Sequence, residues 1–167
     1  MENFTRISRA DGMWNFLKPD GSFLSAGWFL FAWDFCEGFA RVQRVDGMEN
    51  FLKSDGSFLC EEWFKWVDKF CKGFAVVRRE DNMFNFITTD GMLLSKECFF
   101  DVWHFCEGFA KVRREDKMYN FITTDGTLLS KEWFVLAWDF REGFAEVQRE
   151  DGSWYKLATD GTFHKIK

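Results

Sequence analysis

Five arginines occupy one position of a pattern that returns every 35 residues, and they are the side chains best suited to hold a ligand. These residues are Arg9, Arg44, Arg79, Arg114 and Arg149. A guanidinium group is a planar fork of hydrogen-bond donors whose geometry matches a carboxylate or a phosphate. Brought together by the fold, the five groups would bind an anionic, nucleotide-like small molecule or the acidic tail of a protein.

The same arginines also allow a structural interpretation. Each of them is followed two residues later by an aspartate, as Arg44 is followed by Asp46. An ion pair over this short distance would hold a turn together without any ligand. The sequence favours this structural role over the ligand site.

Tryptophans form the second group of candidate binding residues. Trp28, Trp63 and Trp133 share one position of the pattern, while Trp33, Trp103 and Trp138 share another. Exposed in a row, such rings would stack on sugar or nucleobase rings, as in a lectin-like carbohydrate binder. Their regular spacing inside a strongly aromatic repeat favours a place in the core instead. The ligand-binding candidates are therefore the five arginines with Trp28, Trp63 and Trp133.

Catalysis finds little support in the sequence. There is no GxSxG motif, no P-loop and no paired histidine, because His104 and His164 stand at different positions of the pattern. Acidic residues of the Asp20 and Glu37 types recur between repeats, as structural groups do, whereas an active site usually breaks such symmetry. We therefore predict no enzymatic activity and no cofactor. An asymmetric pocket holding a strongly perturbed acid would argue otherwise.

The five cysteines do not form a recognisable framework. They are Cys36, Cys60, Cys71, Cys98 and Cys106, and the position shared by three of them holds Arg141 in the fourth copy. An odd count, the absence of a CxxC pair and this replacement argue against disulfides and against a zinc site. We expect buried or half-buried free thiols and no metal.

The charge and hydropathy of the chain narrow the classes of partner. The net charge of −5 argues against nucleic acid or an anionic membrane surface as a required partner. No window approaches the roughly 20 apolar residues that span a bilayer, and Met1 to Ala10 lacks the apolar run of a secretory signal. The expectation is a cytoplasmic protein that binds a protein or a small anionic ligand, with a homo-oligomer as a further option.

The repeat itself is regular. The stretch from Glu37 to Met48 returns at Lys72–Met83, Glu107–Met118 and Glu142–Ser153, always 35 residues later, and a fainter copy runs from Phe4 to Met13. Five copies at a fixed period indicate a repeat protein whose neighbouring units bury a common core. We predict one repeat domain over 1–167, with units of approximately 1–25, 26–60, 61–95, 96–130 and 131–167.

Within a unit, the turn signals predict short antiparallel strands. An Asp-Gly pair such as Asp20-Gly21 stands in every copy between two apolar runs, which is typical of a hairpin. Gly38 then precedes a strand in which Ala40 and Val42 face the opposite side from Phe39.

One segment of the repeat stays ambiguous. The stretch from Trp28 to Phe35 fits a strand whose Phe29 and Phe31 share a face, but its counterpart after Ser130 also fits a capped helix. The extended interpretation is favoured.

Two blocks of the unit resemble the WG-repeat family of bacterial proteins. They are Met13-Trp14-Asn15-Phe16-Leu17-Lys18-Pro19-Asp20-Gly21 and Trp28-Phe29-Leu30-Phe31-Ala32-Trp33-Asp34-Phe35-Cys36-Glu37-Gly38-Phe39-Ala40-Arg41-Val42. The resemblance covers essentially the whole chain and is most specific in Gly-Phe-Ala-x-Val. Asparagines replace the family's glycine, as at Asn15, and only Trp14 and Trp154 keep its tryptophan, so this chain would be a peripheral member. The resemblance implies an all-β repeat architecture without catalytic residues, and it implies no ligand.

The predicted fold is all-β, with five repeats of about 35 residues arranged as a β-propeller-like ring. An open β-solenoid or superhelix of stacked hairpins is the alternative. The leading functional hypothesis is a non-enzymatic module that presents a repeated surface to a protein partner. The alternatives are a receptor or sequestering protein for an anionic ligand, and a carbohydrate binder.

Overall fold

The computed structural model describes residues 4–166 and confirms the all-β class. No part of this range forms a helix, and so none forms a helix that could cross a bilayer. The strands are β1 (Thr5–Ser8), β2 (Trp14–Leu17), β3 (Phe31–Ala32), β4 (Phe39–Gln43), β5 (Glu49–Lys53), β6 (Trp66–Val67), β7 (Phe74–Arg78), β8 (Phe84–Thr88), β9 (Asp101–Val102), β10 (Phe109–Arg113), β11 (Tyr119–Thr123), β12 (Leu136–Ala137), β13 (Phe144–Gln148), β14 (Trp154–Ala158) and β15 (Phe163–Lys165).

These strands form five small antiparallel sheets, one for each copy of the repeat. Their orders are β1-β2, β3-β4-β5, β6-β7-β8, β9-β10-β11 and β12-β13-β14-β15. The register repeats with the sequence, because Phe39 lies opposite Lys53 in one sheet as Phe109 lies opposite Thr123 in another. None of these sheets, as far as residues 4–166 go, closes on itself. The arrangement of the sheets as a ring stays a prediction.

The Asp-Gly turn forms as predicted, but the strand after it is shorter than expected in most copies. The Lys18 N–H donates to the Ser22 carbonyl over 2.9 Å, and Gly21 takes a φ of +80° that suits a residue without a side chain. Beyond the turn, only Phe23 makes a bridge to Leu17. The last copy alone extends this bridge into a full strand, β15.

The aromatic segment is extended rather than helical, and it crosses from one sheet to the next. Phe29 exchanges hydrogen bonds with Trp14 of β2, whereas the Leu30 N–H already donates to Gln43 of β4. The chain bends between these two pairings. Phe29 is therefore 3% exposed while Phe31 is 51% exposed. The prediction that these two rings share a face is wrong, because the bend interrupts the alternation.

Aromatic rings fill the core, and in four of the five repeats a buried asparagine amide holds the loop above it. Phe16 and Phe51 are each 1% exposed, and Asn15 is fully buried among them. The Asn15 side-chain amide donates to the carbonyls of Ser25 and Gly27, at 2.8 and 2.9 Å. Three further copies of this arrangement follow, at Asn50, Asn85 and Asn120. This asparagine therefore ties the loop after the Asp-Gly turn to the strand before it.

Residues 4–166 group into two compact units. The first comprises residues up to Asn82 with Phe86–Leu93, and the second comprises Met83–Asn85 with the residues from Leu94 onward. Two core clusters lie in the first unit, around Phe16 and around Phe51, and a third lies in the second unit around Phe121. The division of 1–167 into five units within one domain stays a prediction.

Candidate functional site

The structure brings the recurrent arginines and tryptophans together in pairs. The guanidinium carbon of Arg9 lies 4.4 Å from the centre of the Trp28 ring. The corresponding distance is 4.2 Å from Arg44 to Trp63. It is 4.3 Å from Arg114 to Trp133. A cation over an aromatic face at this distance is attracted by the electrons of the ring. The three tryptophans are half-buried, and each presents one face to a guanidinium.

The same guanidinium groups hold the aspartate that follows them. The Arg44 Nη2 atom donates to Asp46 Oδ2 over 2.6 Å, and Nε donates to Oδ1 over 3.3 Å. Arg9 with Asp11 and Arg114 with Asp116 form the same two-bond pair. The ion pair predicted from sequence thus exists, and it takes two of the donors that a ligand would use.

The remaining two arginines turn to a glutamate of their own repeat. Arg79 Nε lies 3.0 Å from Glu62 Oε1, while its Nη1 is 3.9 Å from Asp81. Arg149 Nε lies 2.8 Å from Glu132 Oε2, and its guanidinium rests on Tyr155 at 4.2 Å. All five predicted arginines therefore have a carboxylate partner within their own 35-residue repeat.

Two grooves collect most of these residues, one in each unit, and we call them the Arg–Trp grooves. The groove of the first unit has a volume of about 400 Å³ and is lined by Arg44, Met48, Glu62, Trp63, Arg79, Glu80 and Asp81. The groove of the second unit has a volume of about 450 Å³ and is lined by Arg114, Met118, Glu132, Trp133, Arg149, Glu150 and Asp151. Each residue in the second groove stands 70 positions after its counterpart, with the same residue type. Arg9 and Trp28 meet each other but line neither groove.

The grooves carry more negative than positive charge. Two arginines face three carboxylates in each lining, and the first arginine is further neutralised by Asp46 or Asp116. Hydrogen bonds from the backbone of Met48 and from Arg44 lower the pKa of Asp46, so it is ionised at neutral pH. Glu80 and Glu150 are exposed at the rim. The electrostatic character therefore suits cationic or polar groups better than a phosphate.

Glu49 is the unusual acid that sequence reasoning missed. It is 2% exposed, and its carboxylate accepts hydrogen bonds from Arg41, Gln43 and the Val67 N–H. Burial raises the pKa of Glu49 despite these partners. The signal was available, because the other four copies hold an aromatic residue at this position, as at Trp14 and Tyr119.

Glu49 nevertheless lies outside the grooves. Its carboxylate oxygens are taken up by neighbours, and the Arg41 that pairs with it lies 3.8 Å over the Trp33 ring. A carboxylate held in this way supports the packing of the sheet.

The prediction of buried or half-buried cysteines is right for three of the five and wrong for two. Cys71 and Cys106 are exposed, whereas the sequence predicted buried or half-buried thiols, because both precede a tight turn at the surface. Cys36 is half-buried, with its Sγ atom 3.6 Å from the Phe70 carbonyl. In the part of the chain that the structure describes, no three metal-ligating side chains come together.

Comparison with known proteins gives structural likeness only. No protein-family model and no curated protein matches the sequence. The computationally designed Ika8 protein is 15% identical over 98% of this chain and 58% of its own, with a TM-score of 0.45. BamB from Moraxella catarrhalis is 11% identical over 99% of this chain and 60% of its own, with a TM-score of 0.41. The WD40 beta propeller domain of Doa1 is 14% identical over 96% and 63%, with a TM-score of 0.40. The chain thus spans about three fifths of each of these structures.

Proposed function

We propose that this protein is a non-enzymatic interaction module that presents its two Arg–Trp grooves to a protein partner. The observation that carries the proposal is the recurrence of the same seven residue types in a groove of each unit. Two grooves of the same chemistry suit a partner that carries a repeated motif, because linked contacts strengthen one another without new interactions.

The charges of the grooves select the kind of partner. Every arginine in the linings already has a carboxylate partner, so an anionic ligand would have to displace an existing ion pair. Glu80 and Glu150 stand exposed at equivalent positions of the rim. Basic side chains of a partner would meet these carboxylates, and their aliphatic stems would cover the exposed edge of the stacked tryptophan.

Charge reversal at the rim tests this proposal. We expect Glu80→Lys and Glu150→Lys each to weaken binding of the partner about tenfold, and the double variant to abolish it, because like charges would then oppose each other. The partner is captured with the purified wild-type protein and identified by cross-linking and mass spectrometry. Binding of that purified partner to each variant is then measured by calorimetry.

The matched control is Glu61→Lys. It makes the same change of charge at an exposed position outside the groove, where Lys96 and Lys131 stand in later repeats. Unchanged binding by the control with loss in the groove variants supports the proposal. Equal effects of all three substitutions would instead point to the net charge of the chain and would refute it.

A small anionic ligand is the second candidate, and the volumes of the grooves favour it. At about 400 and 450 Å³ they lie within the range of small-molecule sites. Native mass spectrometry of the protein purified from its own cells would then show a retained mass, which Arg44→Ala and Arg114→Ala should remove while the melting temperature changes little. A large fall in melting temperature without a retained mass would return both arginines to a structural role.

We also propose that the chain is a peripheral member of the WG-repeat family. The Gly-Phe-Ala-x-Val block supports this, since Phe39, Ala40 and Val42 and their counterparts form an inner strand of the sheet in the last four repeats. Relatives with glycine in place of Asn15 and otherwise similar blocks would link this chain to the family. If the relatives all diverge from the block itself, the proposal fails.

A further inference from the structure

The last repeat carries a pocket that differs in chemistry from the Arg–Trp grooves. It has a volume of about 560 Å³ and lies wholly in the second unit, and its lining includes Trp138, Glu142, Phe144, Glu146 and Lys156. Trp138 is 59% exposed and Phe144 is 39% exposed. We call it the Phe144 pocket.

In the first, second and fourth repeats, the ring at the position of Phe144 is covered by a phenylalanine from the next repeat. Phe70 stacks on Phe39 with the ring centres 4.4 Å apart, and Phe140 stacks on Phe109 at 4.3 Å. The ring contacts of Phe144 are different, since they are with His164 at 6.0 Å and the Lys156 ammonium at 5.8 Å. Phe144 therefore offers an aromatic face of the kind that the molecule elsewhere fills with another ring.

A ring can be accommodated on Phe144 because the phenylalanine that packs against the stacked ring in the fourth repeat is replaced by a lysine in the last. Phe121 is 1% exposed and packs edge-on against Phe140 at 5.0 Å. Lys156 takes the position of Phe121 in the last repeat and is exposed. A flexible side chain can move aside where a phenylalanine could not.

Glu142, in the lining of the pocket, stands at the position of two carboxylates that make a second contact between repeats. The Glu37 carboxylate accepts hydrogen bonds from the backbone N–H groups of Lys72 and Gly73, at 2.9 and 3.0 Å. Glu107 accepts the same pair of bonds from Glu142 and Gly143, each over 2.9 Å. In both cases the donors are the residues two and three positions after the stacked phenylalanine, which is Phe70 or Phe140. Within residues 4–166, the Glu142 carboxylate has no such donor.

A second carboxylate of the lining, that of Glu146, determines which kind of residue can precede a ring stacked on Phe144. Arg6 pairs with Asp34 at 3.6 Å and Lys111 pairs with Asp139 at 2.9 Å. Each aspartate directly precedes the phenylalanine that covers the ring of the repeat before, which is Phe35 or Phe140. At the position of Arg6 and Lys111 the last repeat has Glu146. The charge is reversed, so a basic residue fits there instead of an aspartate.

We propose that the Phe144 pocket docks an extended segment of a partner protein with the pattern basic residue, Phe, any two residues, Gly. The partner's phenylalanine stacks on Phe144, the N–H groups of its glycine turn donate to Glu142, and its basic residue pairs with Glu146. The segment thereby makes the three contacts that the repeats make with one another inside each unit. This site is separate from the Arg–Trp grooves, because the two linings have no residue in common.

A short peptide with this pattern tests the proposal. The probe is a fluorescein-labelled peptide with the sequence of Trp66 to Phe74, in which Cys71 is replaced by serine, and it is titrated with the full chain by fluorescence anisotropy. We expect the peptide with Phe70→Ala to bind at least about tenfold more weakly. Glu142→Gln in the protein should weaken the original peptide about tenfold, because two charge-assisted hydrogen bonds lose their ionic acceptor.

A charge swap gives the sharpest readout. The wild-type protein should prefer the original peptide to its Lys69→Asp form, and Glu146→Lys should reverse that preference. Lysine is the residue that Lys111 provides at this position, so the variant is compatible with the fold. Glu115→Gln, an exposed change in the same unit, is the control and should bind the peptide as the wild type does.

Three outcomes would overturn the proposal. The first is no binding of the peptide, and the second is binding that none of the pocket variants alters. The third is self-association of the wild type in sedimentation that Glu142→Gln abolishes, because a second copy would then be the occupant. Glu80→Lys should leave peptide binding unchanged, which separates a failure here from a failure at the grooves.

Discussion

Glu49 shows what one residue does when it departs from the repeat. Four copies hold an aromatic residue at this position, whereas the second copy buries a carboxylate there. Three neighbours donate hydrogen bonds to it, and Arg41 supplies the opposite charge at 3.2 Å. A buried ion pair of this kind fixes an arrangement of side chains more than it adds stability.

The first stability prediction concerns the pH dependence that Glu49 introduces. Burial raises the pKa of Glu49 above its ordinary 4.5, so the folded state holds the proton more tightly than the unfolded state. The stabilisation from this group is full below pH 4.5 and is lost as the pH rises through the raised pKa. We expect the free energy of unfolding of Glu49→Gln, minus that of the wild type, to increase as the pH rises from about 4.5 to 7.

Urea unfolding at several pH values measures this difference directly. Titration of the Glu49 carboxyl carbon by NMR provides an independent check on the direction of the shift. A difference that stays constant, or that falls as the pH rises, would contradict the assignment of burial as the dominant influence on this carboxylate.

At the scale of elements, the turn of one repeat is fitted against the strand region of the repeat before it. A methyl group added at Gly126 would lie 1.9 Å from the Leu94 carbonyl oxygen, and one added at Gly56 would lie 2.2 Å from that of Leu24. The corresponding methyl at Gly21, in the first copy, would meet nothing within 4 Å. The close approach is thus a contact between successive repeats, added to the demand of the turn itself.

This contrast gives the second stability prediction. Gly21→Ala should cost about 1 kcal/mol, since φ is +80° and alanine is strained there. Gly126→Ala has a similar φ of +84° and should cost about 3 kcal/mol in total, because the clash with backbone adds to the strain. Chemical denaturation of both variants tests the difference. Equal losses would show that the repeats do not need this close approach.

Some of these elements followed from the sequence and others did not. The Asp-Gly turns and the Phe-Ala-x-Val strands were predictable because they depend on residues within a few positions, such as Asp20 and Gly21. The bend at Leu30 was not, since it arises from the exchange of Trp14 for Gln43 as the backbone partner. A period-two pattern assumes one partner along the segment, and so it misplaced Phe31.

In the candidate site, too, the contacts between residues close in sequence were predictable and those between distant residues were not. The pair of Arg44 with Asp46 was predictable from a separation of two residues, and it is present at 2.6 Å. The stacking of Arg44 on Trp63 was not, because the two residues are 19 positions apart and meet only after the next repeat is in place. Glu49 could have been found as a break in symmetry, but its burial depends on Val67 of another sheet.

At the scale of the molecule, one contribution to stability is distributed over turns in all five repeats. Nine aspartates at the turns have a pKa below the ordinary 3.8, and hydrogen bonds from nearby side chains and backbone amides are the leading causes. They are Asp11, Asp20, Asp46, Asp55, Asp90, Asp116, Asp125, Asp151 and Asp160. Each stabilises the folded state as a carboxylate, so the turns of every repeat weaken together in acid.

The last prediction follows from these carboxylates, with one substitution in each unit. Asp46 and Asp116 have a lowered pKa, so their stabilisation is present above pH 3.8 and is lost as the pH falls through the folded-state pKa. We expect Asp46→Asn with Asp116→Asn to be less stable than the wild type at pH 7, and this difference to shrink as the pH falls from about 4 to 2.5. Asparagine can still accept the hydrogen bonds from Met48 and Met118, so what the variant loses is the charge that holds Arg44 and Arg114. Urea unfolding at pH 7, 4, 3 and 2.5 measures the difference, and a value independent of pH would mean that the backbone bonds alone stabilise the turns.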